Sequence, residues 1–199
     1  MIPRLCTPVL WLLFLVPGTA FAHRPITGLS YFIDGIIHPL FVPPHLLLLI
    51  ALGLLYGQQG FKKCLSGIKV FTITAAVGLA GSWFLTGVEI ETLIIGDTII
   101  VGLLVAARPI LDRYWFMGMG AVSGMLLGLD SSQAALTGVD RVLALSGTLV
   151  GVFLLLLHSV AFADYFNSRH WQRVGIRIIG SWVSASALLV LALSFSTKH

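Results

Sequence analysis

The sequence predicts an all-α integral membrane protein: a bundle of six transmembrane helices after a cleaved signal peptide, with the first helix broken by prolines. Three observations carry that prediction. Of 199 residues, 57% are hydrophobic and only 10% charged, and the mean hydropathy is +0.98. Soluble domains carry about a quarter charged residues, so this surface cannot face water. The apolar residues also fall into six runs, each near the roughly 20 residues that a helix needs to cross a bilayer. Finally, Lys and Arg concentrate in alternate connections, the pattern that fixes orientation in a membrane. Together these exclude a cytosolic enzyme, a nucleic-acid binder and a disordered chain, and they leave no room for a soluble domain.

Residues 1–22 read as a secretory signal, with Arg4 in a short basic region, an apolar core from Val9 to Val16, then Pro17-Gly18 and the small-residue ending Ala20-Phe21-Ala22. Cleavage after Ala22 leaves His23 first, offering its amine and its imidazole to one metal ion. Residues 23–199 then form a single six-helix domain with spans at 29–57, 68–88, 90–107, 114–130, 142–163 and 174–196. Lys62, Lys63, Lys69, Arg108, Arg113, Arg169, Arg173 and Arg177 fall in or beside alternate connections, whereas Arg24, Arg141 and Lys198 lie on the other side. By the positive-inside rule, both mature termini face the periplasm across a bacterial inner membrane. Cys6 goes with the leader, so Cys64 has no partner for an intramolecular disulfide.

Polar groups inside spans are expensive, which makes them the informative positions. Span one carries Asp34, His38 and His45. Four-residue spacing puts Asp34 and His38 on one helix face, where the carboxylate can hold the imidazole in one tautomer. Pro39 and Pro43-Pro44 break the helix beside them, and broken backbone at membrane depth belongs where protein or a water-lined cavity surrounds it. Two readings are open: the histidines bond carbonyls freed by the prolines, or, with Asp34 and His23, they take a borderline divalent ion.

Span three begins with Glu89 and Glu91 at the membrane surface and places Asp97 inside the membrane. Asp97 is either a charge on an ion route or a neutral acid bonded to a Ser or Thr of a neighbouring helix; the two glutamates are either route residues or solvated. In span four, Gly120, Gly124 and Gly128 share a face suited to close helix packing, and Gly147 and Gly151 repeat the spacing in span five. His158, near the end of span five, is a packing histidine or an exit-side ligand. Asp130 and Asp140 flank a polar loop and receive no role. No nucleophile–base pair, phosphate-cradling loop or HExxH zinc site occurs, so no enzymatic activity is expected.

The string His38-Pro39-Leu40, four residues, then His45 and the apolar run to Gly53 resembles the signature segment of the HupE/UreJ proteins. Glu91, Asp97 and Gly102 resemble a second pattern of that family, with Asp where Ser is usual, and Arg177 to Ser186 is similar to its C-terminal segment. The resemblance implies a small membrane protein associated with hydrogenase or urease maturation that carries nickel or cobalt. Pro44 stands where the family has Asp, Val42 where it has Gly, and the segment Leu127 to Ser132 replaces a His-rich turn. The family's ligand set is thus kept only in part, as His38 and His45. The expected function is a divalent-metal permease with His23, His38, His45, Asp34 and Asp97 as metal-facing residues. The alternative is a non-transporting accessory or assembly subunit. No permanently bound cofactor and no nucleic acid are expected. The partners are the lipid bilayer and the transported Ni2+ or Co2+, and nothing in the sequence identifies a protein partner.

Overall fold

The computed structural model describes residues 30–84 and 90–196. The signal peptide expected over 1–22, His23 and Glu89 lie outside the described residues. All regular structure among the described residues is helical: α1 (Tyr31–Phe41), α2 (Pro43–Gln59), α3 (Phe61–Gly81), α4 (Glu91–Ala107), α5 (Arg113–Asp130), α6 (Gly138–Tyr165) and α7 (His170–Ser196). Three of these, α3, α6 and α7, are long and apolar enough to cross a membrane, and α1 with α2 makes a fourth if the bent pair is one span.

Pro43-Pro44 break the first apolar run as expected, whereas Pro39, also expected to break it, sits inside α1 without ending the helix. Pro43 pushes Val42 out of the helical region, to φ −104° and ψ 100°, and the two halves meet at 75°. Pro43 and Pro44 then occupy the first two positions of α2, where a missing N–H costs no intrahelical bond. Helix α2 is apolar on all sides, and every residue from Ala51 to Gln58 is buried. It is the axis of the bundle, packed by α4, α6 and α7.

Around that axis the helices pair through glycines. A Cβ at Gly124 would collide with the carbonyl of Phe71, and one at Gly128 with that of Ala75, so α3 and α5 meet backbone to backbone. Gly35 and Gly147 do the same for α1 and α6, and Gly102 and Gly180 for α4 and α7. Gly120, Gly124 and Gly128 all lie in the α3–α5 contact, each against backbone of α3.

Two boundaries differ from the hydropathy reading. Gly60, at φ 95°, ends α2 and is the sole residue between it and α3, so α3 starts at Phe61 and carries Lys62, Lys63 and Lys69 on its exposed surface rather than in a connection. Long amphipathic side chains allow this, because their stems cover apolar surface while the ammonium reaches water. Helix α6 likewise starts at Gly138, which brings Arg141 inside the bundle. Arg141 is 7% exposed, donates to Ser82 O at 3.2 Å, and lies 4.4 Å over the Trp83 ring. That stacking contributes about 0.5–2 kcal/mol.

Candidate functional site

The break between α1 and α2 positions the histidines. In an unbroken helix seven residues rise roughly 10 Å; the bend at Val42 instead sets the His38 and His45 rings edge to face with centroids 5.9 Å apart. His45 is the third residue of α2 and 1% exposed. Its Nε2 lies 2.8 Å from Oδ2 of Asp130, the last residue of α5. A carboxylate accepts, so Nε2 carries a proton, and in the neutral ring Nδ1 then presents a lone pair. That Nδ1 is buried with no hydrogen-bond partner. A carboxylate that fixes the tautomer and orientation of an imidazole from behind is a recurrent support for a metal-binding histidine.

A second group, in the first turn of α1 about two turns before the break, is also left open. Both carboxylate oxygens of Asp34 are buried without a hydrogen-bond partner, so the Asp34–His38 bond that the spacing allows is not made. An orphan buried polar group costs about 1–3 kcal/mol in folding. A helix N-terminus ordinarily favours an anion through its free N–H groups, but Pro43 and Pro44 remove two of the four donors here. The end of α2 is thereby less hostile to a cation.

Beside the break lies a cavity of about 210 Å3, lined by Pro43, Pro44 and Leu47 of α2, Glu91 and Thr98 of α4, and Val190 of α7 among others. Glu91, exposed on the first turn of α4, is its acidic residue. Asp97 is placed differently: Ser123 Oγ, buried on α5, donates to Asp97 Oδ2 at 2.6 Å. The carboxyl thus ties α4 to α5, as the packing reading of this residue had it. His158 is exposed and its Nδ1 donates to Leu154 O at 2.7 Å on its own helix, with no part in the break. Among the described residues, no three His, Cys, Asp or Glu side chains are gathered to hold one ion.

The residue that sequence reasoning passed over is Asp130. An acid followed by Ser131-Ser132-Gln133 reads as the edge of a solvated loop, and its partner is 85 positions away.

A family model described as HupE / UreJ protein matches residues 10–190, nearly the whole chain. No curated protein and no solved structure matches it.

Proposed function

The chain belongs to the HupE/UreJ family, and we propose that it is a bacterial inner-membrane permease for a divalent transition-metal ion, nickel or cobalt. In this reading α1 and α2 together form the first of six spans, α3 to α7 the rest, and both mature termini are periplasmic. The observation that carries it is the pair of buried, unpartnered acceptors on the broken helix pair, the Asp34 carboxylate in the first turn of α1 and His45 Nδ1 at the start of α2, where the His38 ring meets that of His45. Neutral imidazole with carboxylate suits a borderline divalent cation. His23 captures the ion at the periplasmic mouth, and Glu89 and Glu91 attract it to the cavity. His38 and His45 bind it, while Asp34 and, farther along, Asp97 supply negative charge. A site with so few protein ligands holds the ion weakly enough to pass it on. The ion is cargo, and the chain carries out no catalytic step. Nickel or cobalt uptake into vesicles containing the purified protein tests the reading: it should be abolished in the His38→Ala/His45→Ala double variant, and unchanged uptake rejects the site.

A second reading, a non-transporting accessory subunit for a metalloenzyme, is favoured by the Ser123–Asp97 bond, which makes the most deeply placed acid a packing element. It predicts no uptake by the wild-type chain and an unaltered accessory phenotype in the same double variant.

A further inference from the structure

The basic end of the bundle holds three guanidinium groups drawn to one place by the fold. Arg108 caps α4 in a left-handed conformation, φ 54°, the one non-glycine residue with positive φ among those described. Its Nη2 donates to Asn167 Oδ1 at 3.1 Å. Arg173 Nη2 donates to the carbonyl of Ser168, the next residue, at 3.0 Å. Arg177 Nε donates to the carbonyl of Ala106, two residues before Arg108, at 2.6 Å. The three side chains are thus anchored on two adjoining turns, 106–108 and 167–168. Asn167 itself is fixed by donating to Gln58 O at 2.9 Å.

Each anchor occupies one donor of a group that has five. Among the described residues none of the three arginines forms an ion pair, the His45–Asp130 contact being the salt bridge present. The acids of this end do not serve them. Asp112 accepts from Tyr114 N and Trp115 N at its own helix start, and Asp164 is exposed three residues before Asn167. Arg173 Nε is moreover buried with no partner. Orientation alone requires basic residues at this end; it does not require three of them fixed by hydrogen bonds around one loop, none in an ion pair. Such a fork-shaped donor set matches the oxygens of a phosphate.

From this geometry we infer that Arg108, Arg173 and Arg177 form a phosphate-binding cradle, occupied by the headgroup of an anionic phospholipid. The surroundings favour lipid over dissolved phosphate. Ile110, Tyr165 and Trp171 flank the loop with large exposed apolar surface, the kind that sits at headgroup depth against acyl chains. The inference is independent of the metal reading, since it concerns the opposite end of α2.

Native mass spectrometry of the purified full chain, offered phosphatidylglycerol, phosphatidylcholine or inorganic phosphate, tests it. Arg173→Gln/Arg177→Gln should retain about tenfold less phosphatidylglycerol than the wild type, the loss of charge-assisted bonds to one phosphate. Lys62→Gln/Lys63→Gln removes the same charge at the same end and should leave retention within about twofold. Arg173→Lys/Arg177→Lys keeps the charge without the fork, and should lose retention by about threefold even if the glutamine variant folds poorly. Phosphatidylcholine should bind all forms weakly. Equal loss in the glutamine variants of both pairs would make the binding diffuse and overturn the cradle. Arginine-dependent binding of inorganic phosphate without selective retention of phosphatidylglycerol would overturn the lipid assignment.

Discussion

Along the α3–α5 seam, backbones touch through Gly120, Gly124 and Gly128, and the hydroxyls of Tyr56, Thr74 and Ser123 find partners in Phe116 O, Val70 O and Asp97. In the broken α1–α2 pair, by contrast, Asp34 in the first turn of α1 and His45 at the start of α2 bury three polar atoms with no partner. The seam is shape-limited and electrically quiet, as packing requires. The broken pair spends folding free energy on bare acceptors, which a fold retains where something else is to fill them. Volume changes should therefore hurt the seam, and removal of polarity should help the stability of the broken pair while destroying its binding.

The largest effect is expected at Gly124. A leucine there meets Phe71 O and the nitrogen of Ala75, both backbone, so the helices must separate at a cost of about 3 kcal/mol or more. Thermal unfolding should show a large drop, or no folded protein should be recovered. Asp34→Leu should act in the opposite direction. Removing two orphan oxygens stabilises by about 1–3 kcal/mol, visible as a higher Tm, while metal affinity falls; a lowered Tm would show that Asp34 supports the fold.

Asp97→Asn keeps an acceptor for Ser123 Oγ, so its stability should change by less than about 1 kcal/mol; a larger loss in a thermal melt would place Asp97 outside simple packing. The smallest effect belongs to His158→Ala, which removes an exposed ring bonded to its own helix. It should leave uptake unchanged and stability within about 0.5 kcal/mol.

Much of this contrast is legible in the sequence, for local reasons. Glycines four apart mark one face of a helix, and the seam forms there. Proline fixes its neighbour's backbone, and the break falls at Val42. What required the structure is non-local: that Asp130 reaches His45 across 85 positions and that Asp97 finds Ser123, together with the finding that Asp34 leaves unmade the His38 hydrogen bond its spacing permits. The end of a helix was also hard to place where lysine side chains made an exposed first turn of α3 look like a loop.

The central claim is that Asp130 holds His45 so that its bare Nδ1 faces an incoming ion. Calorimetric titration of nickel and of cobalt onto the purified full chain tests it most directly, comparing the wild type with His45→Ala and Asp130→Asn. The account predicts that His45→Ala abolishes binding and that Asp130→Asn, which keeps the shape but not the charge behind the ring, weakens it by about 10- to 100-fold. Equal affinity in all three proteins would contradict it.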